Sequence, residues 1–180
     1  MRKLPFILFI LLCCTATAAG PIINPYRFAA AAGTSYANSG GTGDRQSIIV
    51  ATASGGLVVG DPEAWINGST VDTGVYFNAV TLNGTQFIKW DFGSGKVIDE
   101  AKFYQSNTTS QFNWKWQGSN NDSTWTDIGS TFTLGGVATQ TITALAGNVT
   151  SYRYYRILGV GPGATSGNPW IHEFEFKISP

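Results

Sequence analysis

The chain has 180 residues, of which only 12% are charged, split evenly between 11 basic and 11 acidic side chains. That length suits one domain, and the even balance excludes a nucleic-acid binder, which needs a clustered basic excess. With 43% apolar and 13% aromatic residues the sequence buries a core, which excludes a disordered chain.

Taken in chain order, the first nineteen residues read as a secretory signal. Arg2 and Lys3 precede an apolar run from Leu4 to Leu12, interrupted only by Pro5, and Ala16-Thr17-Ala18 supplies the small-x-small cleavage pattern, with cleavage after Ala18 or Ala19. The run is shorter than the roughly 20 residues that span a bilayer. Cys13 and Cys14 leave with it, so residues 20–180 contain no thiol; nine basic and eleven acidic residues remain, a net charge of about −2. No later stretch has membrane-spanning length, and the expectation is a soluble extracellular or periplasmic domain. Residues 31–45, small and Gly/Ser-rich, read as a loop within the fold or a loosely held arm.

Strand signals follow, and helix signals are nearly absent. Ser47–Thr52 is β-branched, and Ile88, Trp90 and Phe92 share one face of the next segment. Phe112, Trp114 and Trp116 alternate with Asn113, Lys115 and Gln117, which predicts a strand with the three rings on one side. Thr139–Thr143, Tyr152–Val160 and Trp170–Ile178 continue the series. Asn83-Gly84, Gly93-Ser94-Gly95, Ser119–Asp122, Gly135-Gly136 and Gly161-Pro162-Gly163 punctuate it. About eight short strands spaced by turns imply an all-β, antiparallel β-sandwich or barrel.

Four segments in this order carry a family resemblance. They are Trp90–Gly93 with Val97–Ala101, Trp116–Trp125, Tyr152–Ile157 and Trp170–Phe176. Together they resemble discoidin-like domains, the coagulation-factor C-type, galactose-binding-like family, over about residues 60–180. The resemblance implies a discoidin-like jelly roll running from about residue 22 to the C-terminus. Asn24–Phe28 with Gly41–Arg45 resembles discoidin-type modules of viral and phage fibre proteins. In such relatives an early loop and a Glu near the C-terminus often hold a structural calcium ion; the matching positions are Asn67, Asp72, Thr73 and Glu173. Asn67 stands where relatives carry Asp, so one carboxylate is missing from a site that wants six to eight oxygens. Asn67 and Asp72 also read as ordinary turn residues bonded to their own backbone.

No catalytic set emerges. His172 is the single histidine, which excludes a Ser/His/Asp triad and a two-histidine metal site. Asp99 and Glu100 are adjacent, and neighbours on a strand point to opposite faces. Five Asn-x-Ser/Thr triplets, at Asn67, Asn83, Asn107, Asn121 and Asn148, fit exposed loops. Trp90, Trp114, Trp116 and Trp125 read as core, whereas Trp65, Tyr76, Phe77 and Trp170 lie at or beside turns.

The expected function is that of a secreted, non-catalytic module recognising carbohydrate on a surface through loops at one end of the sandwich. The loops bearing Tyr76, Phe77, Gln105, Asn107, Asn168 and Trp170 supply rings to cover a pyranose face and amides to bond its hydroxyls. The expected partner is a glycan or other cell-surface ligand. The alternative is a self-assembling structural subunit of an extracellular fibre, virion or surface layer.

Overall fold

The structure, a computed structural model, describes residues 45–71 and 74–179. The signal segment, the fibre-like residues 24–28 and 41–44, the arm up to residue 44, and Asp72 and Thr73 lie outside the described residues.

Among the described residues nine antiparallel strands form two layers that share one long strand. β4 (Phe87–Gln105) begins in a sheet ordered β1 (Val50–Ala53), β4, β8 (Tyr152–Gly159), β5 (Ser110–Ser119) and β6 (Thr126–Gly135). It ends in a second sheet ordered β2 (Val58–Val59), β3 (Val75–Phe77), β9 (Trp170–Ser179), β4 and β7 (Thr139–Ile142). At the expected turn, Gly93-Ser94-Gly95, the chain folds back from the first sheet into the second, so that Trp90 and Phe103 meet Phe174 from opposite sides of the core. The pairing with β8 breaks between Asp91 and Lys96, and Gly93, at φ 68°, takes a backbone that costs other residues. Buried Tyr155 pins this crossing: its hydroxyl accepts the Ile98 N–H at 3.2 Å and donates to the Lys96 carbonyl at 2.7 Å. Burial pushes its phenol above the usual range.

The alternation in the sequence places the core between the layers. Ile88, Trp90 and Phe92 of β4 and Trp114 and Trp116 of β5 face inward and are buried. Trp90 packs on Phe174 and Phe176, with ring centroids 4.9 and 5.1 Å apart. Burying such a side chain contributes about 1.5–3 kcal/mol, which makes these rings the main stabilising resource of a domain without disulfides. Trp65, on the 3-10 turn Pro62–Ile66, joins them and is fully buried.

Three sequence expectations are corrected here. Trp125 is half-buried outside the core, 4.0 Å from the Arg156 guanidinium, which stacks on its ring. Phe112 leaves the face of Trp114 and Trp116: it has φ 60° and is 41% exposed, because the pairing with β6 shifts between Ser110 and Asn113. Asp99 and Glu100 do not diverge. A register shift between Ile98 and Glu100 lets both carboxylates approach Lys177 Nζ, at 3.7 and 4.0 Å.

The five Asn-x-Ser/Thr triplets share one local geometry. In each, the asparagine Oδ1 accepts the backbone N–H two residues on, at 2.8 to 3.2 Å. The triplets are Asx-turns that close the loops.

Candidate functional site: an uncharged loop end

At one end of the sandwich the strand termini at Phe77, Phe87, Gln105, Ser110, Gly135, Thr139, Gly159 and Trp170 come together through backbone bonds. Ser106 N donates to the Trp170 carbonyl at 2.9 Å and Gly136 N to that of Thr109 at 3.1 Å. Leu82 N donates to Gly163 O at 2.8 Å, and Val160 N to Asn113 O at 3.0 Å. The joining loops, 78–86, 106–109, 136–138 and 160–169, contain no Asp, Glu, Lys, Arg or His.

Several charged side chains are paired on the outer face of the β4–β8–β5–β6 sheet. Arg153 makes two 2.8 Å bonds to Asp91, Lys89 reaches Asp122 at 2.6 Å, and Lys115 reaches Asp127 at 2.9 Å. The Arg153 guanidinium holds the Asp91 carboxyl below the usual carboxylate range. Bonds from Gln117 and then Lys115 do the same for Asp127.

Of the six residues expected to bind ligand, Tyr76, Asn107, Asn168 and Trp170 come together at this end. Tyr76 and Trp170 are cross-strand partners, and their rings meet edge to face at 5.2 Å and 86°. Trp170 is 40% exposed, and its backbone N–H donates to Ser106 Oγ at 2.9 Å, which ties its strand to the loop of Asn107. Asn107 Oδ1 is engaged by Thr109 N–H at 2.8 Å, whereas Asn168 stands on the exposed loop leading to Trp170. The 160–169 loop passes close to Tyr76: a Cβ at Gly167 would meet its ring at 3.9 Å.

The other two have different roles. Phe77 is fully buried between Trp65 and Trp114, with centroids 5.7 and 5.9 Å away, so its ring belongs to the core and offers no surface to a ligand. On a strand it must point opposite to Tyr76. Gln105 is 2% exposed, and its Nε2 donates to the Thr109 and Val137 carbonyls at 2.8 and 3.1 Å. It fastens the 106–109 loop to the 136–138 loop rather than facing outward.

Phe112 is the surface ring that sequence reasoning missed, since regular alternation assigns it inward. Its ring lies over Gly163, where a Cβ would come within 2.2 Å of ring carbon. A left-handed backbone at a non-glycine residue costs about 1–2 kcal/mol.

Of the four implied calcium positions, Asn67 and Glu173 lie among the described residues, and both are already engaged. Glu173 is fully buried; its carboxylate pairs with the Arg45 guanidinium, itself 1% exposed, and accepts Gly68 N–H at 3.2 Å. Arg45 N donates to Ile66 O at 2.9 Å and its guanidinium reaches Phe174 O at 3.4 Å, which fixes the positive group between the early loop and β9. Asn67 Oδ1 is taken by Ser69 N–H at 2.8 Å. A calcium ion needs several free oxygens, and a guanidinium already supplies the cation that Glu173 requires. Among the described residues no group of three or more His, Cys, Asp or Glu side chains converges as a metal site.

No protein-family model matches this sequence, and no curated protein does. Solved structures do match. The family 32 carbohydrate-binding module of AlyQ, in complex with 4,5-unsaturated mannuronic acid, is 24% identical, covers 72% of this chain and 94% of its own, and has a TM-score of 0.52. The family 32 module of Clostridium perfringens NanJ, in complex with galactose, is 16% identical over 75% of this chain and 97% of its own, with a TM-score of 0.51. A further C. perfringens module, in complex with GalNAc-β-1,3-galactose, is 14% identical over 74% and 97%, at 0.52. The chain thus has the discoidin-like, galactose-binding-like sandwich expected from its sequence. No helix among the described residues is long and apolar enough to cross a membrane.

Proposed function

We propose that this chain is an exported, non-catalytic module that binds neutral carbohydrate at the loop end bearing Trp170, Tyr76 and Asn168. The observation that carries the reading is the exposed Trp170 ring, backed by half-buried Tyr76, set among loops with no ionisable side chain. An aromatic face covers the apolar face of a pyranose, and amide and hydroxyl groups beside it bond to sugar hydroxyls without a desolvated charge. The carbohydrate modules that share the fold support the class of ligand. The acidic sugar held by the AlyQ module is not the type expected here, because these loops offer no cation to a carboxylate. The signal-like residues 1–19 support action outside the cytoplasm.

The test is a glycan array carrying neutral and acidic oligosaccharides, probed at low and high salt. Neutral glycans should bind, with signal insensitive to ionic strength, because no charge pair is available to be screened. Binding confined to uronate or sialylated glycans, or no binding at all, would remove the reading.

A further inference from the structure

We propose that Phe112 is a second stacking surface of the same loop end, so that the ligand is a neutral oligosaccharide longer than one ring. This rests on the glycan reading above and extends it. Two features set Phe112 apart from an ordinary surface residue. Its φ of 60° is a conformation that a bulky side chain rarely adopts, and the ring it carries is 41% exposed instead of packed inward with Trp114. Residues held in such regions cluster at ligand clamps, where the surrounding structure overdetermines them.

The surroundings hold the ring deliberately. Phe112 N–H donates to Ser110 Oγ at 3.1 Å, and the next residue's carbonyl accepts Val160 N–H at 3.0 Å. Only a residue without Cβ allows the ring to lie where it does over position 163, and Gly163 itself has φ 136°. Buried Gln111 then bonds the same loop farther along, its Oε1 accepting Ser166 N–H at 2.9 Å.

One loop therefore touches both aromatic surfaces. Gly163 lies under the Phe112 ring, and four residues later Gly167 lies against Tyr76, the edge-to-face partner of Trp170. Four residues of chain reach at most about 14 Å, so the two surfaces lie within the span of a short oligosaccharide. The loop between and around them is uncharged, and Val137, 47% exposed on the adjoining 136–138 loop, adds apolar surface.

The test measures affinity by calorimetry for galactose and for the neutral oligosaccharide that gives the strongest array signal, together with melting temperature. Phe112→Asn suits it because asparagine tolerates the left-handed backbone. The variant should bind the oligosaccharide at least tenfold more weakly, bind galactose as wild type does, and melt no lower. Phe112→Trp should restore oligosaccharide affinity.

Unchanged oligosaccharide affinity in Phe112→Asn, with Trp170→Ala still weakening it, overturns the second surface alone. So does an equal loss for galactose, or a lowered melting temperature that accounts for the lost binding. If neither variant changes affinity, or wild type binds no neutral glycan, the glycan reading itself falls.

Discussion

Replacing Arg45 with Met keeps an apolar stem in place but removes the cation paired with the Glu173 carboxylate. Both side chains are almost wholly shielded from water, at 1% and 0% exposure. Among the described residues, what remains bonded to that carboxylate is the Gly68 N–H at 3.2 Å. Breaking a buried pair from one side costs about 3–5 kcal/mol, because an uncompensated charge is left in the interior. At about 3 °C per kcal/mol for a domain of this size, the melting temperature should fall by roughly 10–15 °C. Urea denaturation at pH 7 should show the same loss as a lower midpoint with an unchanged slope. The double variant Arg45→Met/Glu173→Leu should recover most of it, since replacing both partners with apolar groups is often neutral or stabilising. A fall of less than about 3 °C in the single variant, near 1 kcal/mol on the same scale, would mean that the Glu173 charge does not depend on Arg45. So would a double variant no more stable than the single one.

If the guanidinium serves Glu173 as its cation, chelation should leave the melting curve of the wild-type domain unchanged. A calcium-dependent rise would reinstate Asn67, Asp72, Thr73 and Glu173 as ligands, since an ion that binds only the folded state must stabilise it. Acid should weaken the domain in a defined window. The Asp91 carboxyl is depressed chiefly by the Arg153 bond, so the stability it contributes is present above about pH 4, the unfolded value, and is lost as pH falls through the folded value. Asp91→Asn should flatten the melting temperature against pH below about 4, and an unaltered slope would show that this pair contributes nothing.

The fold was legible because the apolar period is regular where strands are long. Ile88, Trp90 and Phe92, and then Trp114 and Trp116, alternate over enough residues to declare an inner face, and all five are buried. The same logic misplaced Phe112, because a single left-handed residue at the start of β5 inverts the direction of its side chain. β3 is only three residues long, too short for a period, so nothing in Val75-Tyr76-Phe77 told which ring faces out. Pairing with Trp170 across the sheet decides it.

Long-range electrostatics were invisible in the same way. Glu173 stood out as an acidic residue on the closing strand, yet its partner lies in the segment before β1, with nothing local to connect them. Gln105 looked like a sugar-binding amide by composition; only the convergence of two loops turns it inward onto Thr109 and Val137. The Asn-x-Ser/Thr triplets did carry local information, since an asparagine followed two places on by a free N–H is the recipe for an Asx-turn.

Sugar binding at the uncharged end with Trp170 and Tyr76 requires the Trp170 ring. The most direct measurement is calorimetric titration of wild type and Trp170→Ala with the best-bound neutral glycan, beside melting curves of both. The account predicts an affinity at least about tenfold lower in the variant, near 1.4 kcal/mol, with the melting temperature held, because the ring is partly exposed and outside the core. Equal affinity in the two proteins, or a loss of binding explained by unfolding of the variant, would contradict it.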